Sequence, residues 1–142
     1  ITGLVGSEMC IRDRIGDGDV SGGLKAAEGS VDLLYGIGAA PEGVITATAV
    51  KAMGGFFEGR LHFMDDSFKE RALKMLGSDI NNLWSADDLC RSSDSFFIAS
   101  GVCSGWIPGV KFDGDKAEVT SKIIFGDSSE TQIITNEYIL GE

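Results

Sequence analysis

The sequence predicts an α/β domain with a mixed sheet, flanking helices and a C-terminal antiparallel meander. Three observations predict it. Short apolar runs closed by glycine, such as VDLLYGIG from Val31 to Gly38, suit strands buried on both faces of a parallel sheet. Segments of helical period with stop signals alternate with those runs. From Gly109 onward the pattern becomes one of alternating residues punctuated by turn dipeptides, the mark of hairpins.

Taken in chain order, Val31–Gly36 is expected as a buried strand. Pro41 at a first helical position, Glu42 in the first turn and the stop at Gly54 and Gly55 predict a helix over 41–53. FEGRLHF, Phe57–Phe63, returns as a strand and carries His62 as a satisfied sheet residue. Asp65–Leu76 is amphipathic, holds an Asp65–Lys69 pair at i,i+4 and stops at Gly77, so it is expected as a helix. Ser85 caps a short helical turn through Asp88, and Asp65/Asp66 and Asp87/Asp88 are helix N-terminal charges. Ser95–Ala99 is a third buried strand, expected beside the first two. The turn Asp113-Gly114-Asp115 and the run TQIITNEYIL complete the meander.

The 142 residues are enough for one domain with a core, and 43% hydrophobic with 24% charged residues is ordinary globular composition. A formal charge of −10, from 22 acidic and 12 basic residues with no basic run, argues against a nucleic-acid surface and favours metal cations. No apolar run is long enough to span a bilayer and no signal-peptide pattern opens the chain, so no membrane partner and a cytoplasmic address are expected. Residues 1–14, containing GSEMCIRDR, resemble a translated piece of a sequencing adapter. They are expected to be a non-native scar that packs on nothing regular, with 15–142 the domain and the natural polypeptide beginning earlier. Cys90 and Cys103, outside that segment, are read as reduced, part-buried residues.

Three stretches carry candidate chemistry. DGDVSGGLKAAE, Asp17–Glu28, fits the spacing of a calcium loop, but neither flanking helix that such a loop requires is present in the pattern. On that argument Glu28→Gln, the change that would cripple a calcium loop, is expected to do little to activity. The same stretch suits an Asp-Gly-Asp turn that leaves a strand, opens a glycine-rich helix and holds a phosphorylated, hydroxylated ligand; a solvated acidic turn is the bland alternative. GIGAAPEG, Gly36–Gly43, is a glycine-bearing turn at a helix N-terminus, where backbone N–H groups and the macrodipole favour an anion and Glu42 can offer oxygen to Mg²⁺ or Mn²⁺. A βαβ arrangement would bring Asp17, Asp19 and Glu42 into one crevice. GVCSG, Gly101–Gly105, has the spacing of a nucleophile elbow, yet the only histidine, His62, precedes it.

The stretches IGDGDVSGGL, VDLLYGIGAAPEGV, AMGGFFEGRL and DDLCRSSDSFFIASGV resemble the C-terminal portion of class II fructose-1,6-bisphosphatase, including bacterial forms that also act on sedoheptulose 1,7-bisphosphate. The resemblance runs from about Ile15 to the end. It implies a sugar-phosphatase fold of the inositol monophosphatase type, of which this chain is the C-terminal half, a requirement for Mg²⁺ or Mn²⁺, and release of the 1-phosphate in gluconeogenesis or the Calvin cycle. It also implies substrate contacts at Asp17, Gly18, Asp19 and Ala39, the last a glycine in many members, and a metal ligand at Glu42. By the same resemblance no catalytic residue is expected in this chain. The remaining metal ligands and the phosphate clamp belong to a missing N-terminal half, so the chain alone is expected to be inactive, and a homo-oligomer is expected. The competing reading is a non-catalytic α/β module that keeps the sugar-phosphate crevice without turnover.

Overall fold

A computed structural model describes residues 13–141. Helices α1 (Asp19–Ala27) and α2 (Ala40–Ala52) come first, then β1 (Glu58–Gly59), α3 (Asp66–Leu76), a 3-10 turn over Gly77–Asn81, β2 (Trp84–Ser85) and α4 (Ala86–Leu89). Strands β3 (Phe96–Ser100), β4 (Lys111–Asp113), β5 (Lys116–Phe125) and β6 (Thr131–Ile139) complete the order. The described part of the adapter-like segment is Asp13 and Arg14, both exposed; the rest lies outside the described residues.

Local signals set the helices. Asp65 caps α3, its carboxylate accepting from the Ser67 and Phe68 N–H groups at 2.8 and 3.1 Å, and Gly77 ends it at φ 58°. With that carboxylate committed to the cap, no Asp65–Lys69 ion pair forms among the described residues. Ser85 and Asp88 form a reciprocal capping box on α4, Asp88 N–H donating to Ser85 Oγ and Ser85 N–H to Asp88 Oδ2. The hydrogen bonds from Ser67 and Ser85 hold the Asp65 and Asp88 carboxyls below their ordinary range.

The meander forms as expected. Asp113 pairs with Lys116 across a two-residue turn in which Gly114 takes φ 60°. β6 runs along one side of β5, while β3 and β4 share the other side end to end. Glu118 and Glu137 stand directly opposite each other, and each is balanced by a lysine at 2.7 Å, Lys111 and Lys116 respectively. One face of β5 buries Thr120 and Ile124 beneath α2, which with Leu24 of α1 and Ala47, Ala49, Val50 and Ala52 of α2 makes the core.

The parallel part of the expected sheet is not found: every pairing among the described residues is antiparallel. Val31–Gly36 is not a buried strand. It has no ladder partner among the described residues, and Leu33 and Tyr35 are 76% and 93% exposed. An apolar run records a tendency to be covered and does not say by what. Phe57–Phe63 shrinks to the two-residue β1, paired with β2 and not with β3, and His62 is exposed outside any strand. β3 exists, but as an antiparallel neighbour of β5 with Phe96 and Ile98 half open to solvent.

Candidate functional site

The two acidic and glycine-bearing motifs both open helices. Gly18, at φ 86° and ψ 34°, is the N-cap of α1, and Asp19 is its first residue. The stretch Asp17–Glu28 is therefore mostly helix, which cannot wrap an ion as a calcium loop must. Ala39, at φ −76° and ψ 153°, is the N-cap of α2, and Glu42 lies in its first turn. Alanine adopts that conformation freely, so its Cβ imposes no backbone strain where the resemblance places a glycine. Neither motif follows a strand among the described residues, so the expected βαβ route to a shared crevice is absent.

A different geometry joins them. The Asp19 carboxylate lies against Gly38, its Oδ2 2.5 Å from where a Cβ would stand. Midway along, Gly23 meets the methyl of Thr46, and beyond the C-termini Gly55 meets Ala27. Contacts in that order mean that α1 and α2 lie side by side and run the same way, with both N-termini at one end. Neither N-cap supplies a side-chain hydrogen bond, whereas α3 and α4 are capped by Asp65 and Ser85. Two sets of unsatisfied N–H donors and two positive dipole ends therefore share one corner. Asp17 is exposed there, with Oδ1 accepting from the Gly18 N–H at 2.7 Å. Among the described residues the Asp19 and Glu42 carboxylates take no hydrogen bond or ion pair, and no group of three or more potential metal ligands forms. The contacts carry Asp19 to Gly38 and no closer to Glu42.

Behind this corner lies a cavity of about 340 Å³ between α1 and the loop from Gly101 to Val110, touching the acidic turn at Gly18 and reaching Ser21, Phe97, Cys103 and Trp106. Cys103 is an exposed free thiol, not a part-buried one, whereas Cys90 is half-buried as expected. A second cavity of about 430 Å³ lies beside His62, Asp65 and Lys69, away from both motifs.

Sequence reasoning missed the clamp at the far end of α1. Glu28, its C-cap, accepts the Trp106 Nε1–H at 2.8 Å and the Ser30 hydroxyl at 2.8 Å, and faces Lys122 Nζ at 3.6 Å. The same ammonium sits 4.1 Å over the Trp106 ring, which meets Phe97 edge-on at 6.4 Å. Burial works to raise the Glu28 carboxyl, but the Trp106 and Ser30 hydrogen bonds and the Lys122 charge outweigh it and hold it below the ordinary range. Glu28 thus has a structural role at the end of α1. Two of its partners, Trp106 and Lys122, lie far along the chain, and no local pattern announces them.

A family profile described as bacterial fructose-1,6-bisphosphatase, glpX-encoded, matches residues 8–138. Over 141 residues the chain is 32% identical to the D-fructose 1,6-bisphosphatase class 2/sedoheptulose 1,7-bisphosphatase of Gloeobacter violaceus, covering 89% of this chain and 41% of the relative. It is 36% identical over 138 residues to the protein of the same name from Prochlorococcus marinus, covering 86% and 41%. It is also 36% identical over 135 residues to the D-fructose 1,6-bisphosphatase class 2/sedoheptulose 1,7-bisphosphatase 2 of Acaryochloris marina, covering 84% and 39%. The chain spans about two fifths of the length of these relatives. With the profile matching residues 8–138 of its 142, the chain belongs to the bacterial, glpX-encoded fructose-1,6-bisphosphatase family.

Proposed function

We propose that this chain is the sugar-phosphate-binding half of a metal-dependent bisphosphatase. In the complete protein it would serve removal of the 1-phosphate from fructose 1,6-bisphosphate, and from sedoheptulose 1,7-bisphosphate as well. The observation that carries the reading is the corner where two uncapped helix starts meet, bordered by Asp17, Gly18 and Asp19 on one side and Gly38, Ala39 and Glu42 on the other. Backbone donors there suit phosphate, and the aspartates suit sugar hydroxyls. Glu42 suits Mg²⁺ or Mn²⁺, hard cations that take oxygen ligands. One carboxylate does not make such a site, so in this reading the other donors belong to the remaining part of the polypeptide, which would also carry the water-activating groups. The bound cation would screen phosphate charge and polarise the bond to be broken.

The Val31–Ile37 segment, mostly exposed and without a strand partner among the described residues, supports a fold completed by further chain, and the two-fifths span of the relatives agrees with it. Assembly as an inositol monophosphatase-type fold, a homo-oligomeric state and a cytoplasmic address belong to the same proposal. Among the described residues no helix is long and apolar enough to cross a membrane.

The test is phosphate release by the full-length protein as a function of Mg²⁺ and Mn²⁺. Glu42→Gln keeps size and removes charge, and should lower metal-dependent turnover by at least about tenfold to a hundredfold, the loss typical of disturbing a metal's surroundings. Glu58→Gln, an exposed carboxylate in β1, serves as the control. Undiminished activity and metal response in Glu42→Gln would refute its assignment. Sugar bisphosphate binding by the wild type with no turnover would make the protein a binding module.

A further inference from the structure

We propose that Gly38 is a positioning residue for Asp19, and that its missing side chain is what allows the Asp19 carboxylate to stand at the mouth of α2. The inference rests on the reading of Asp19 as a sugar-phosphate contact. Gly38 is not required by its backbone dihedral, since its φ lies outside the left-handed region. What a side chain there would meet is the Asp19 carboxylate: a Cβ would stand 2.5 Å from its Oδ2 and 3.6 Å from its Cγ. The carboxylate is not spent on capping its own helix, because α1 has no side-chain cap. It leans across instead to the residue just before the N-cap of α2. Any side chain at 38 must either rotate the carboxylate away from that corner or push the start of α2 from the start of α1. Both moves displace a ligand held between them. Gly36, two residues earlier in the same extended segment, has nothing within 4 Å of where a Cβ would stand and supplies the matched control.

The experiment compares Gly38→Ala, Gly36→Ala, Asp19→Ala and the Gly38→Ala/Asp19→Ala pair in the full-length protein, with fructose 1,6-bisphosphate as the probe. Gly38→Ala should raise KM about tenfold, with kcat within about threefold, because a displaced contact weakens ground state and transition state alike. Gly36→Ala should leave the melting temperature unchanged, since a Cβ there meets nothing. In the Asp19→Ala background, adding Gly38→Ala should cause no further loss of binding and no further fall in melting temperature, since the obstructed group is gone. An unchanged KM in Gly38→Ala, or an equal loss with and without Asp19, overturns the inference and makes Gly38 a local structural glycine. A wild type that hydrolyses no sugar bisphosphate sinks the functional reading instead. The melting temperatures of the four variants still decide whether Gly38 acts through Asp19.

Discussion

Substituting Gly23 by alanine sets two opposed effects against each other, and the structure says which wins. Within an α-helix the change gains about 1 kcal/mol of helix propensity. The new methyl, however, would overlap the Thr46 Cγ2 atom of α2. Thr46 cannot turn aside: it is 6% exposed, and its hydroxyl donates to the Glu42 carbonyl at 2.7 Å. Breaking that bond would strand a buried polar group, at about 1–3 kcal/mol; parting the helices instead costs about as much by overpacking. The net expectation is a loss of about 1 kcal/mol, and of no more than about 2, read by urea unfolding followed by far-UV circular dichroism. Thr46→Ser removes the obstructing methyl, keeps the hydroxyl, and alone should cost about 1 kcal/mol. The double variant should recover most of the loss, leaving a coupling of at least about 1 kcal/mol. Stabilisation by Gly23→Ala alone, or simple addition of the two effects, would refute the close approach of α1 and α2.

Two further outcomes are expected from the Glu28 clamp and the capping carboxylates. Trp106→Phe keeps a ring against Phe97 but deletes the N–H donated to Glu28, and should cost about 1–2 kcal/mol, against about 0.5–1 kcal/mol for Glu28→Gln, which retains an acceptor; equal stability of Trp106→Phe and wild type in urea would show that the clamp holds nothing. Glu28, Asp65 and Asp88 all titrate below their ordinary values of 4.5, 3.8 and 3.8, so each contributes stability that is fully present above those values and lost as pH falls through the lowered folded ones. The melting temperature should hold from about pH 7 to about pH 5 and fall steadily below about pH 4.5, and a curve still level at about pH 3 would contradict this assignment.

What the sequence made legible was whatever neighbouring residues decide. The ends of α2 and α3, the Ser85–Asp88 box and the turn at Gly114 follow from proline, caps and glycine within a few positions, and they stand within a residue or so of expectation. Strand partners are set at a distance. Val31–Gly36 reads as a strand because it is apolar, yet a strand exists only beside another, and none of the described strands lies there. The site divides the same way. That Asp19 and Glu42 each open a helix was visible from glycine, proline and charge, whereas the approach of the two helix starts was expected from parallel strands and comes from parallel helices joined by glycine contacts, which bring Asp19 to Gly38 and not to Glu42. Trp106 and Lys122 converge on Glu28 only after the sheet has formed.

The outermost strand sets how copies of this chain behave toward one another. Along β6 every residue from Thr131 to Ile139 is exposed, and among the described residues only one side of the strand is hydrogen-bonded. The segment TQIITNEYI contains no lysine, arginine or proline, the residues that ordinarily blunt such a rim. It offers a ready template for strand-to-strand growth. Against that short-range attraction stands the net charge of −10, which keeps like chains apart over roughly a Debye length. Colloidal behaviour is therefore a contest between an unguarded rim and long-range repulsion, and added salt or acid, by weakening the repulsion, tilts it toward the rim.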